Sequence, residues 1–202
     1  MMKLLLATAA VLALGAGGLA QATPYQSPTG LTAPGSTITF AELGLGQDTV
    51  VTTQYAGLGA SFTGSWQSYL FGGGFPNITG GGLSDFRSGY GSCPCGPTFE
   101  ITFASAVNDA VFAFATNPGT STLTSFLGAS LVETANFSTG SDGQFTGFTG
   151  SLFDRIVVAP GGGNNFDVID NLQFNSAVPE PATLALFGVG LLGLGLIRRK
   201  RA

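Results

Sequence analysis

Through the middle of the chain, apolar side chains return at every second position. In Phe99-Glu100-Ile101-Thr102-Phe103 the odd positions are apolar, and in Ala110-Val111-Phe112-Ala113-Phe114 the bulky rings recur two residues apart. A strand turns successive side chains to opposite faces, so a period of two predicts strands with one face buried. The 3.6-residue period of an amphipathic helix is almost missing from this region. Runs of this kind, rich in β-branched and aromatic residues, predict strands over 37–43, 49–55, 60–63, 65–71, 98–104, 110–115, 122–127, 130–137, 145–149, 154–159 and 167–174. Asn117-Pro118-Gly119, Ser141-Asp142-Gly143 and Gly161-Gly162-Gly163-Asn164-Asn165 mark turns between them. Many short strands with marked turns predict one all-β sandwich over residues 36–177, with the 17 phenylalanines of the chain supplying core. Residues 72–97 are the longest weakly patterned stretch and predict a long loop. Residues 23–35, rich in Pro, Thr and Gly, predict a flexible leader.

The two ends break this pattern with continuous apolar runs. Lys3 precedes an uncharged stretch from Leu4 to Leu14, then glycines, then small residues around Ala20 and Ala22. That order is the layout of a secretory signal peptide over 1–22, with cleavage after Ala22 preferred to Ala20 because it leaves small residues at both recognition positions. At the other end, Ala182 to Ile197 is uncharged and ends on Arg198, Arg199, Lys200 and Arg201. As a helix this run spans about 24 Å, slightly less than the hydrocarbon core of a bilayer. The basic cluster stays on the cytoplasmic side and stops transfer. The expected layout is therefore a β-sandwich ectodomain flanked by an N-terminal signal helix and a C-terminal transmembrane helix.

Val178-Pro179-Glu180-Pro181, the Leu/Gly-rich span and the terminal Arg/Lys cluster together resemble the PEP-CTERM sorting signal of Gram-negative bacteria. The resemblance covers residues 178–202. It implies export, anchoring in the inner membrane by the C-terminal helix, and recognition near the Pro-Glu-Pro by an exosortase-like membrane protease, after a signal peptidase has acted at the other end. The destination implied is the cell surface or the extracellular matrix. The body is similar in outline to the jelly-roll sandwiches found ahead of such tails, through Gln54–Phe62 and through Phe166-Asp167-Val168-Ile169-Asp170-Asn171-Leu172-Gln173-Phe174. Jelly rolls with carbohydrate-binding relatives often hold a structural calcium where first and last strands meet. That resemblance makes Glu42, Asp170 and Asn171 the candidate oxygen ligands. The alternative is that Asp170 and Asn171 shape a strand end while Glu42 faces solvent.

Charge narrows the chemistry. Between residues 23 and 177 stand ten Asp and Glu against Arg87 and Arg155 alone, a net charge of −8 hidden by the whole-chain value of −4. Such a body cannot neutralise phosphates, so nucleic acid is excluded as a partner. The chain has no histidine, and the body has no lysine. Ser-His-Asp and Cys-His catalysis, histidine metal sites and Schiff-base chemistry are thereby excluded. A glycosidase using paired carboxylates remains open, though spacing singles out no pair. Trp66, Tyr69, Tyr90 and Tyr55 are the rings best suited to stack on a sugar, as in a carbohydrate-binding module, unless they pack the core or its rim. Cys93-Pro94-Cys95 holds the only cysteines. In an exported chain these form a strained local disulfide, pair between molecules, or serve redox or metal chemistry. The expectation is a non-enzymatic, exosortase-sorted surface or matrix protein associated with exopolysaccharide.

Overall fold

The computed structural model describes residues 21–64, 66–85, 98–161 and 167–177. Among these residues the chain is all-β. It runs through eleven strands: β1 (Thr23–Ser27), β2 (Ser36–Ile38), β3 (Ala60–Thr63), β4 (Gln67–Phe75), β5 (Ile78–Ser84), β6 (Phe99–Ala115), β7 (Gly119–Leu127), β8 (Ser130–Thr139), β9 (Gln144–Thr149), β10 (Phe153–Ala159) and β11 (Val168–Ser176). The only helical element described is a single 3-10 turn at Ala56–Leu58. No helix among the described residues is long and apolar enough to cross a membrane. The expected signal helix and C-terminal transmembrane helix lie outside the described residues.

The 17-residue β6 organises the body, because its two halves serve different neighbours. Its first half lies between β3 and β10, and β10 continues to β7 and β8. Its second half lies between β9 and β11. Beyond β9 comes β1; beyond β11 come β5 and then β4, with β2 pairing the later part of β11. Every one of these pairings is antiparallel. Two blocks of strands thus share one continuous hydrogen-bonded chain of neighbours through β6.

Both blocks turn apolar side chains into the same core. Phe62, Ile101, Phe103, Leu123, Phe153, Ile156 and Val158 from the first block meet Leu83, Phe112, Phe114, Phe148, Ile169, Leu172 and Phe174 from the second. Several ring contacts between the blocks follow edge-to-face geometry. Phe148 and Phe153 lie 6.2 Å apart at 71°, and Phe99 and Phe112 lie 6.3 Å apart at 64°. These arrangements set the positive edge of one ring against the negative face of the other.

The second block is covered on its other face too. Val111, Ala113, Ala115, Phe145, Val168 and Ile78 form a smaller cluster, closed over by Tyr25, Leu31 and Phe75. Here the structure departs from the flexible leader expected over 23–35. Thr23–Ser27 pairs with β9 in full register, the Leu31 N–H donates to Gln173 Oε1 at 2.8 Å, and the Gly35 N–H donates to Asn175 Oδ1 at 2.6 Å. A segment of low hydrophobicity is ordered because the faces it covers are apolar, a fact its own composition does not carry.

Other boundaries moved for local reasons. The strand expected over 37–43 stops at Ile38, because Phe40 adopts φ +58° and the chain turns there. The run 49–55 forms one bridge, Val50 to Gln67, before turning into the 3-10 element. The separate strands expected over 98–104 and 110–115 are one. The polar step between them stays extended because the Ala104 N–H reaches the Gly59 carbonyl and the Ala177 N–H reaches that of Ala106. Inside the stretch 72–97, Ile78–Ser84 is β5. Its glycines hide the alternation, and at Gly81 a Cβ would stand 3.1 Å from the Phe40 carbonyl oxygen.

Candidate functional site

Three buried carboxyls, Asp170 in one place and Asp85 with Asp167 in another, stand out, and both places involve the start of β11. The first was readable in part. Asp170 is 1% exposed, and both its oxygens are occupied: Oδ2 accepts from the Thr79 N–H at 2.9 Å and Oδ1 from the Asn171 N–H at 2.6 Å. Asn171, at φ +49°, sits at a register shift of β11 and donates its Nδ2 to the Asn77 carbonyl at 2.7 Å. Asn77 in turn donates to the carbonyls of Pro28 and Gly143, each at 3.0 Å. Asp170, Asn171 and Asn77 therefore join four separate segments: the leader, the β4–β5 hairpin, the β8–β9 turn and β11. Burial, aided by the nearby charge of Glu42, pushes the Asp170 carboxyl up to about 7 against two hydrogen bonds that pull it down.

Glu42 is exposed and folds back on its own turn, its Oε1 accepting from the Thr39 N–H at 2.6 Å and the Thr39 hydroxyl at 2.8 Å. Asp170 and Asn171 bond to backbone where the register of β11 shifts. Glu42, Asp170 and Asn171, the three residues of the calcium reading, are thus each engaged with nearby backbone in this structure. Among the described residues, no group of three or more His, Cys, Asp or Glu is placed to hold a metal ion.

The second cluster was not foreseen. Asp85, directly after β5, and Asp167, directly before β11, are 7% and 1% exposed. They are side by side in the sheet: the Asp85 N–H donates to the Asp167 carbonyl at 3.3 Å, and the Asp167 N–H donates to Asp85 Oδ1 at 3.2 Å. The Thr116 hydroxyl donates to Asp167 Oδ1 at 2.5 Å. Asp167 Oδ2 is buried and has no hydrogen-bond partner. Burial first, and then the charge of Asp167, push the Asp85 carboxyl up to about 7. Burial also raises that of Asp167, although hydrogen bonds from Thr116 and Asp85 oppose the shift. The signal available in the sequence was an acid two residues from an inward apolar position, Leu83-Ser84-Asp85 and Asp167-Val168-Ile169.

The sugar-stacking residues fare differently. Trp66 is 1% exposed and meets Phe99 edge-on at 4.2 Å, and Tyr55 is fully buried with its hydroxyl donating to the Phe40 carbonyl at 2.8 Å. Burial and the charge of Glu42 lift the Tyr55 phenol to about 12. Neither ring presents a face to a ligand; both are core. Tyr69 lies half-buried on β4, while Tyr90, Cys93 and Cys95 lie outside the described residues. The same holds for Val178, Pro179, Glu180, Pro181 and for Arg198, Arg199, Lys200, Arg201. Arg155 is the one cation among the described residues. It pairs with Glu100 at 3.0 Å and lies 4.4 Å from the centre of the Phe126 ring, on a half-exposed sheet face.

Comparison with known proteins places the tail. Residues 177–201 match the PEP-CTERM protein-sorting motif. The chain therefore carries the address of an exported protein that is held at the membrane before processing by an exosortase-type system, joined to a β-rich body. No curated protein matches the sequence. Among solved structures, one described as the X-ray structure of GH31 CBM32-2 bound to GalNAc aligns over 58% of this chain and 97% of its own, at 13% identity and a TM-score of 0.37.

Proposed function

We propose that this chain is a non-enzymatic cell-surface or matrix protein, a jelly-roll-like β-sandwich exported to associate with exopolysaccharide in biofilm. The observation that carries this reading is the sorting motif at 177–201 joined to an acidic β body lacking histidine and lysine. The two blocks of strands around one core support the sandwich. The acids that adjoin in the fold, Asp85 and Asp167, are buried against each other. A glycosidase instead needs two carboxyls about 5–9 Å apart, open to a glycosidic bond. The reading as a dedicated carbohydrate-binding module keeps only Tyr69 of its described rings, because stacking requires an open ring face.

The test follows the full chain in its own host. Wild type is expected at the cell surface or in the medium, and Glu180→Ala is expected to stay in the membrane fraction. Equal distribution of the two would reject sorting through this motif. Surface protein is then mixed with the host's own extracellular polysaccharide and sedimented. Saturable retention supports matrix association; recovery in the supernatant rejects it.

A further inference from the structure

The acid pair at the end of the core has the composition of a cation site. Alternation along the strands decides which way it faces. Leu83, Phe114 and Ile169 all belong to the shared core, and Asp85, Thr116 and Asp167 follow each of them by two residues or, for Asp167, precede by two. A period of two therefore continues the inner face of the second block with two carboxyls and a hydroxyl. From the first block, the buried Ser121 and Thr139 occupy the inward positions of β7 and β8, their hydroxyls 2.6 Å apart. The Gly161 N–H donates to Ser121 Oγ at 3.0 Å, and the Gly161 carbonyl lies 3.5 Å from Thr116 Oγ1. Oxygen donors at the ends of β5, β6 and β11, on β7 and β8 and in the segment after β10 are thus gathered at one end of the molecule, between the two blocks.

We propose that Asp85 and Asp167 hold a divalent cation of the calcium class at this end of the core. The independent mark of a missing ligand is Asp167 Oδ2. Most buried polar atoms find a hydrogen-bond partner, and a buried carboxylate oxygen without one is among the costliest to leave unpaired. The rest of the donor set named above is hard oxygen: two carboxyls, hydroxyls and a backbone carbonyl. Calcium takes six to eight such ligands and accepts irregular geometry, whereas zinc and copper favour His and Cys. This site differs from the Glu42–Asp170–Asn171 reading in that both oxygens of Asp170 accept backbone hydrogen bonds, whereas Asp167 Oδ2 accepts none. A bound cation would join the end of β5 to the start of β11 and close the two blocks over their polar rim. The inference stands apart from where the protein is sorted.

The experiment uses the full chain in detergent, with terbium luminescence as a direct probe of binding and thermal unfolding in calcium, magnesium or chelator. Wild type is expected to bind about one terbium, displaced by calcium, and to unfold several degrees higher in excess calcium than in chelator, since a ligand selective for the native state stabilises it. Asp167→Asn is expected to abolish both responses. Because it removes a buried charge at nearly constant shape, it should also unfold no lower than wild type does in chelator. If Asp167→Asn fails to fold, Asp85→Asn gives the same reading through terbium binding. Glu42→Gln should leave the calcium response intact. No calcium response in wild type, an undiminished response in both Asp variants, or loss of the response in Glu42→Gln alone would each overturn the proposal.

Discussion

Trp66 shows how a residue's chemistry and its location can part company. An indole suits a sugar platform, yet here it fills core beside Phe99. Truncation leaves a cavity, so Trp66→Ala should cost about 3–5 kcal/mol, measured as a shift of the urea midpoint, with any affinity for polysaccharide unchanged in the folded fraction. A loss of binding at unchanged stability would return Trp66 to the surface role. Asp170 makes a pH prediction. Its carboxyl is raised from the ordinary 3.8 to about 7 in the folded chain, so between those values the native state keeps a proton that the unfolded state has lost. Stability from this group is therefore full below about pH 4, falls as pH rises towards 7, and is flat above. Asp85 acts in the same direction, so the informative quantity is a difference. Subtracting the stability profile of Asp170→Asn from that of wild type, by denaturant unfolding from pH 4 to 8, should leave a falling curve. A level difference would show that Asp170 does not titrate in this window.

At the scale of the element, tight approaches between strands matter most. Gly147 of β9 faces β6 so closely that a methyl group would overlap the Ala110 carbonyl and crowd the Val111 Cα at 2.8 Å. Backbone cannot yield as a flexible side chain can. Gly147→Ala should therefore destabilise by at least the roughly 1–3 kcal/mol typical of overpacking, whereas Gly140→Ala, with nothing within 4 Å, should be near neutral. Paired thermal melts check this, and equal melting temperatures would contradict the β6–β9 spacing. Strand identity itself was legible wherever β-branched and aromatic residues alternate. The predicted 60–63 is β3 without change, and 154–159 differs from β10 by one residue. It was illegible in β5, where glycine removes the side chains that carry the period, and in the middle of β6. There a polar stretch reads as a turn, but neighbours on both sides hold it extended.

For the whole molecule, the leader is part of the fold. Deleting residues 23–35 behind the signal peptide should uncover the Val111–Ala113–Ala115 face, raise binding of a hydrophobic dye and lower the melting temperature. Unchanged melting and dye binding would restore the flexible-leader reading. The same scale explains the candidate cation site. Asp85 and Asp167 stand 82 residues apart and become neighbours only because β5 and β11 pair. No spacing rule in the sequence could have joined them.

What the sequence determined by itself was the address and the class of fold. A sorting tail is read as linear sequence by the machinery that binds it, and strand periodicity is a local property, so both survive without a structure. Its charge inventory, lacking histidine throughout and lysine in the body, also removed whole classes of chemistry from consideration. Tertiary structure alone decided which polar and aromatic groups are buried: Trp66 and Tyr55 in the core, Asp170 spent on backbone, Asp167 left with an oxygen unpaired. Burial depends on what the rest of the chain lays over a residue, and Asp167 and Asp170, equally buried, differ only in the partners the fold sets against their oxygens.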